Sequence, residues 1–475
     1  MIEALSQRYP LLRNVLLLVG GSALAAAAIV LSAPVLSRIY DPRAFGALAV
    51  YSAIVTMLCS FTSLRYESAI PLPEEHGRAA NVLALAFLVL IALSGLLSVV
   101  LVGFRVQISD WLHTPELAPY FWLIPLGLLG NGAFQILGYW ALRKERFPLM
   151  ARTRITQGVG TVVVQLVWGV VSPGLAGLIA GDLSGRIGGV ARLGQFAWAD
   201  LPRHAITWPE VRSVAIRYRD FPLLNSAAAA LTAVSTQIPP VLLSHFFEPA
   251  IAGYYALTSR AMAVPAALVG QAVGQAFFAR AALIRNDQAA LRQLTETTAL
   301  LLLAGGVPVF GAVLLDGQGL FGAVFGEQWR QSGVYAQWLA PWFLLWLIAN
   351  PLSNLMTVRE WQGTTLKYSA LECLTKTAAL SWGIWLGSDQ IAVALLGAAA
   401  FLLSLFTMNR FFEAAYSSML DVLPRAKWSV LLGALSLVIA AFAVQGTGTW
   451  QLALRLSIFL LCYCGLAFRT KEQFV

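Results

Sequence analysis

The sequence predicts an all-α integral membrane protein with about fourteen transmembrane helices, twelve of them in two parallel-repeat six-helix bundles around a central cavity. Three observations predict it. Of 475 residues, 58% are hydrophobic and only 12% charged, where a soluble domain carries roughly 25% charged residues. Apolar runs of about 18 residues or more, each long enough to cross a hydrocarbon core as a helix, recur from end to end. Finally, the phrase LSRIYDPRAFGALAVYS, Leu36 to Ser52, returns as LSHFFEPAIAGYYALTS, Leu243 to Ser259. Aligned without a gap, Leu36, Ser37, Pro42, Gly46, Ala49 and Ser52 meet Leu243, Ser244, Pro249, Gly253, Ala256 and Ser259. So long an interval suits half of a duplicated protein, not a solenoid repeat.

The first span, 14–37, has too long an apolar run for a cleavable signal peptide and no A-x-A-like site ends it. Asp41-Pro42 closes it and opens the second, 44–64, because proline fits a first helical turn and an acid suits the positive end of the helix dipole. Spans 79–102, 119–141, 154–172 and 175–195 complete a first bundle. The stretch from Phe196 to Phe221 is the widest gap, with room for one interfacial helix. Spans 222–243 and 250–272, joined by Glu248-Pro249, repeat the opening pair. Spans 297–315, 335–357, 367–386 and 390–409 complete the second bundle, and 427–445 and 450–468 follow. The domain plan is therefore a bundle at 1–200, a linker at 201–221, a bundle at 222–413 and two accessory spans at 414–475. An even number of spans separates the two phrases, so both halves run the same way through the bilayer. Pro34 in the first span and Pro239-Pro240 in the seventh predict bends near the outer third of each. Matched, bent helices in facing bundles suit transport of a substrate held between the halves.

Lys and Arg set the orientation, since they stay on the cytoplasmic side of short loops. With the N-terminus inside, that side receives Arg8, Arg13, the RKER run from Arg143 with Arg152 and Arg154, then Arg203, Arg212, Arg217 and Arg219. An even span count puts the C-terminus there too. Topology and anionic headgroups thus account for the net charge of +9 without a nucleic-acid partner. Cys59, Cys373, Cys462 and Cys464 all fall within spans, and Cys462-x-Cys464 lacks the second ligand pair of a zinc site. No metal, cofactor or catalytic constellation is expected: there is no Walker motif, no G-x-S-x-G and no HExxH.

LSRIYDPRAFGALAVYSAI followed by RYESAIPLPEE, and later FGEQWRQSGVYAQWLAPWFL, resemble the polysaccharide-biosynthesis flippases of the O-antigen and exopolysaccharide exporter type. These belong to the multidrug/oligosaccharidyl-lipid/polysaccharide (MOP) superfamily. The resemblance covers most of the chain. It implies twelve core and two accessory helices in a bacterial inner membrane, no enzyme activity, and alternating access coupled to an ion gradient. The implied substrate is an undecaprenyl-diphosphate-linked oligosaccharide, moved from the cytoplasmic to the periplasmic leaflet, with polysaccharide polymerase machinery as a further partner. A small-molecule antiporter of the same superfamily, and a membrane glycosyltransferase or polymerase, are the alternatives. Unpaired positive charge within the spans favours an anionic substrate over the first, and the absence of a large outer loop speaks against the second.

A diphosphate crossing a low-dielectric layer calls for fixed positive charge, and ionisable residues within spans are functional candidates by default. Arg260 leads, with no acid three or four positions away on its own helix. Arg38 at the outer end of span one and Arg65 at the cytoplasmic mouth are further anion ligands, although snorkelling and positive-inside anchoring also account for them. Asp182 with Arg186 and Glu372 with Lys376 stand at i, i+4 spacing, acid first. Two accounts are open: self-neutralised pairs that lower the cost of burial, or switches in which protonation of the acid frees the cation for substrate and couples transport to protons. Gln237, Gln271, Gln275, Asn225 and Asn354 either line the cavity or tie helices together. Trp140, Trp168, Trp361, Trp428 and Trp450 read as an aromatic belt. Trp338, Trp342 and Trp346 form a stripe for lipid, packing or sugar.

Overall fold

The computed structural model describes residues 10–359 and 362–419, with 421, 422 and 424. The last two spans, 427–445 and 450–468, lie outside them, as do Arg8, Cys462, Cys464, Trp361, Trp428 and Trp450. The described residues are helical almost throughout, and nine of their helices are long and apolar enough to cross a membrane. The chain divides into two compact units, Met1–Gly253 and Tyr254–Val475.

The first unit opens with α1 (Pro10–Ile39) and α2 (Pro42–Cys59). Pro34 lies inside α1, which runs on through it; the Pro34 carbonyl accepts from Ser37 Oγ at 3.1 Å and Arg38 Nη1 at 2.9 Å. Asp41 caps α2 as expected, its carboxylate accepting from the Ala44 amide at 2.7 Å. Then come α3 (His76–Gly103), the short α4 (Arg105–Trp111), α5 (Leu123–Arg143) and α6 (Phe147–Val171). The sixth span is not one helix. It breaks at Gly188-Gly189 into α7 (Leu175–Ile187) and α8 (Val190–Asp200), because Gly189 takes φ +84° and Gly188 leaves the helical region. A side chain at Gly189 would also strike Thr153, so both the angle and the space require glycine there.

In this unit α1 packs on α6, α6 on α7, and α2 on both α5 and α7. A second core joins α3, α5 and α8 with the linker helix α9 (Trp208–Arg217), which buries Val211 and Val214 and leaves Trp208 and Ile216 outside. Asn81 on α3 fixes the linker, donating to the Ala205 carbonyl at 2.9 Å and accepting from the Thr207 amide at 3.1 Å. Trp140 belongs to this core, fully buried and 5.1 Å from the His76 ring. It is therefore no belt residue, because α5 turns it inward; Trp168, 46% exposed, keeps that role.

After a π-helical turn at Phe221–Asn225, α10 (Ser226–Phe246) runs through Pro239 and Pro240 to α11 (Pro249–Leu283). Here the two phrases meet. A Cβ on Gly46 would fall on the Pro249 carbonyl, and one on Gly253 would fall on the Pro42 carbonyl. The contact is reciprocal, as between two copies related by a twofold axis, and it brings backbones together with no side chain between them.

The second unit contains the rest of α11, then α12 (Gln288–Phe325), α13 (Arg330–Leu352), α14 (Asn354–Val358), α15 (Gln362–Trp385) and α16 (Asp389–Ala414). α12 packs on α13, and α16 on α13 and α15. Helix α12 breaks at Asp316, where φ is −153°, and the Asp316 carboxylate accepts from the Gly319 amide at 2.8 Å to start the following segment. The expected span 297–315 lies within this helix, which starts earlier and continues beyond the kink.

Replacing Gly46 or Gly253 by Ala forces a methyl group onto a carbonyl and should destabilise the protein by about 1–3 kcal/mol. The loss is read as a lower thermal unfolding midpoint in detergent. Gly95→Ala, whose methyl meets open space, is the control and should show no loss.

Candidate functional site

In the first unit, Asp182 and Arg186 stand on α7, one turn apart and just ahead of the Gly188-Gly189 break. The guanidinium grips the carboxylate twice, Nε to Oδ2 at 2.6 Å and Nη2 to Oδ1 at 3.4 Å. Helix α2 supplies the neighbours: Ser52 Oγ donates to Asp182 Oδ1 at 3.2 Å, and Arg186 Nη2 reaches Thr56 Oγ1 at 3.5 Å. The pair is mostly buried, with 14% of the Arg186 side chain and 21% of the Asp182 side chain exposed. Tyr51 Oη, also buried, has no hydrogen-bond partner among the described residues. Gly127 of α5 lies against the pair, its Cβ position 3.6 Å from Arg186 Cδ. In transporters with discontinuous helices, ion and substrate sites lie at helix breaks, and this pair stands beside one.

The same unit holds a cavity of about 330 Å³ between α5, α6 and α8, with Asn131, Gln135, Tyr139, Thr153 and Arg154 among its walls. Arg154 lies over the Phe134 ring at 5.0 Å. Sequence reasoning counted Arg154 among the topological charges and missed the rest. The signal was present, since Asn131, Gln135 and Tyr139 repeat every four residues along an otherwise apolar helix and so share a face.

In the second unit, Glu372 and Lys376 line a cavity of about 430 Å³ among α13, α15 and α16. Lys376 Nζ donates to Glu372 Oε1 at 2.5 Å and stands 4.3 Å from the centre of the Trp342 ring. Only 6% of the lysine side chain is exposed, against 42% of the glutamate's. Trp342 and Trp346 form part of the wall, while Trp338, 53% exposed, points away, so the tryptophan stripe is divided between two uses. An adjoining cavity of about 250 Å³ gathers Gln271 and Gln275 of α11 with Asn354 and with Asn350, which the sequence reading had passed over.

The remaining candidates stand apart from these cavities. Arg65 has φ +61° and pairs at 3.5 Å with Glu67, a fully buried acid that also accepts from Ser63 Oγ at 2.5 Å. It is thus engaged at the local turn. Arg38 is exposed at the end of α1, as a snorkelling side chain would be. Arg260 is half-buried on α11, Gln237 half-buried on α10, and Asn225 exposed in the π-helical turn. Among the described residues no group of three or more His, Cys, Asp or Glu is placed to hold a metal.

Breaking the first-unit pair should be costly. Asp182→Ala leaves a buried guanidinium uncompensated, a loss on the order of 3 kcal/mol. Removing Arg186 as well should recover much of it, and a double-mutant cycle on unfolding free energies measures the coupling.

Known proteins match this architecture. A family described as "Polysaccharide biosynthesis protein" matches residues 35–333. The succinoglycan biosynthesis transport protein ExoT of Rhizobium meliloti (strain 1021) is 26% identical over 377 residues, covering 75% of this chain and 70% of that protein. The solved structure of the lipid II flippase MurJ in an inward closed conformation has a TM-score of 0.67 at 12% identity, over 97% of this chain and 98% of that one. An inward-facing multidrug resistance transporter of the MATE family, in the MOP superfamily, has a TM-score of 0.56 at 12% identity, over 84% and 96%. The two likenesses show that the chain shares the fold of those solved transporters, and by the match over residues 35–333 the chain belongs to the polysaccharide biosynthesis protein family.

Proposed function

We propose that this membrane transporter moves an undecaprenyl-diphosphate-linked oligosaccharide from the cytoplasmic to the periplasmic leaflet by alternating access, with both termini cytoplasmic. The observation that carries this reading is the pairing of a polysaccharide-biosynthesis family match with cationic and amide side chains set into apolar helices. A chain that needed only to sit in lipid would not place Arg186 and Lys376 there, because each charge costs free energy in the hydrocarbon layer. A diphosphate headgroup supplies the countercharge for guanidinium groups, which stay protonated throughout. Arg260 and Arg186 are the anion ligands in this reading, and Asp182 and Glu372 the groups that bind and release a proton.

A leaflet assay tests the proposal. Purified protein in liposomes, given a fluorescent undecaprenyl-diphosphate oligosaccharide, should make the lipid accessible to a reagent outside, faster under a pH gradient. No movement, beside a working control flippase, would falsify the reading. Arg260→Ala should slow movement about tenfold or more with insertion intact, the loss of one charge-assisted contact to the headgroup. Asp182→Asn and Glu372→Gln should move lipid at rates independent of the gradient; gradient dependence equal to wild type would remove both acids from the coupling step.

A further inference from the structure

We infer that the two adjoining cavities of the second unit form a sugar subsite that takes uncharged pyranose residues of the lipid-linked glycan. The inference rests on the transport reading above. The two cavities adjoin at Asn350 and Asn354, which line both.

The larger chamber is built for a ring with one apolar face and an edge of hydroxyls. Trp342 and Trp346, one turn apart on α13, offer flat apolar surface on the same helix face. The Lys376 ammonium covers Trp342, which leaves Trp346 as the platform for a sugar face. Ser404 and Thr407 stand on α16 in the same wall. Their hydroxyl protons are already donated to the carbonyls of Ala400, at 2.7 Å, and Ser404, at 3.1 Å. Lone pairs are what they present to the cavity, and sugar hydroxyls are the matching donors.

The polar side chains of the smaller chamber are all amides, Gln271, Gln275, Asn350 and Asn354, set against Gly270, Gly274 and the Phe278 ring. Asn354 Nδ2 is spent on the carbonyls of Gly274, at 3.3 Å, and Pro351, at 3.0 Å, so its carbonyl oxygen is the group left for a ligand. The glycines matter here. A Cβ at Gly270 or Gly274 would come within 3.1 Å and 3.2 Å of the Asn350 and Asn354 amide nitrogens and crowd them. Primary amides both donate and accept, which suits hydroxyl and N-acetyl groups.

Charge decides the class of sugar. Among the described residues, the oppositely charged side chains lining the two chambers are Glu372 and Lys376, paired at 2.5 Å, with the neutral phenol of Tyr368 beside them. Lys376 is the more covered of the two, so whenever Glu372 carries no proton an acidic sugar would meet the exposed carboxylate first. Like charges repel strongly in such a medium. A diphosphate is disfavoured there for the same reason, which separates this subsite from the headgroup contacts assigned to Arg260 and Arg186.

Equilibrium binding to the full-length protein in nanodiscs tests the inference. The probes are a radiolabelled short-chain polyprenyl diphosphate bearing a disaccharide of neutral hexoses, the same lipid with the outer hexose as a uronic acid, and the bare polyprenyl diphosphate. Wild type should bind the neutral disaccharide about tenfold more tightly than the uronate. Trp346→Ala and Asn350→Ala should each lose about tenfold for the neutral probe and keep wild-type affinity for the bare diphosphate, which also reports that the variant is folded. Trp346→Phe should retain most of the affinity. Equal binding of neutral and acidic probes, or variants that bind the neutral probe like wild type, overturns the subsite and leaves the transport reading standing. Failure of wild type to bind any of the three lipids overturns both.

Discussion

A hydrocarbon layer offers no hydrogen-bond partners, so every polar group that this chain places there must find one inside the protein. Helices satisfy the backbone. Several side chains are satisfied one at a time: Asp182 against Arg186 with Ser52 and Thr56, Lys376 against Glu372 with the Trp342 face, Gln165 donating to the Leu178 carbonyl at 3.2 Å. Side chains satisfy the backbone in the same way at two helix starts. Where α12 is interrupted, Asp316 supplies the acceptor for Gly319; where α2 starts, Asp41 supplies it for Ala44.

The duplication acquires a physical meaning from this constraint. Helices in lipid gain little from apolar contact with one another, because the tails are as apolar as leucine, so close backbone approach has to supply the attraction. Gly46 against Pro249 and Gly253 against Pro42 provide that approach twice over. Acid-Pro at the start of each helix, with glycine one turn later, is the minimal text that makes such a contact reciprocal. The phrase therefore recurs because each copy is the other's packing partner.

Ionic pairing inside the helices also bears on the chemistry. A paired acid and base at one turn's separation carry little net field, so the protein can hold them in the membrane at rest, and a change of protonation or the arrival of an anion shifts the balance. Lysine beside tryptophan and glutamate, in a chamber with amides and hydroxyls, is a different environment from arginine beside aspartate at a helix break. The two pairs looked alike as i, i+4 spacings, and the structure gives them different surroundings and so different proposed duties.

Composition and periodicity determined that this is a multi-pass helical membrane protein, because burial in lipid is a demand on every residue of a span and shows in any window of the sequence. The helix starts at Pro42 and Pro249 were legible for the same reason, being local in φ and in hydrogen bonding. So was the family, through the text of the first phrase. Tertiary structure decided the rest. Trp140 and Trp168 stand alike near span ends, yet one is fully buried and the other 46% exposed, since which face turns inward depends on neighbouring helices. Arg154 read as a topological charge until α5 placed Asn131, Gln135 and Tyr139 beside it. The Gly188-Gly189 break was written in the sequence but masked by the apolar residues around it. Which polar residues share a cavity is a property of distances between helices far apart in the chain, and a single sequence records residue types, not those distances.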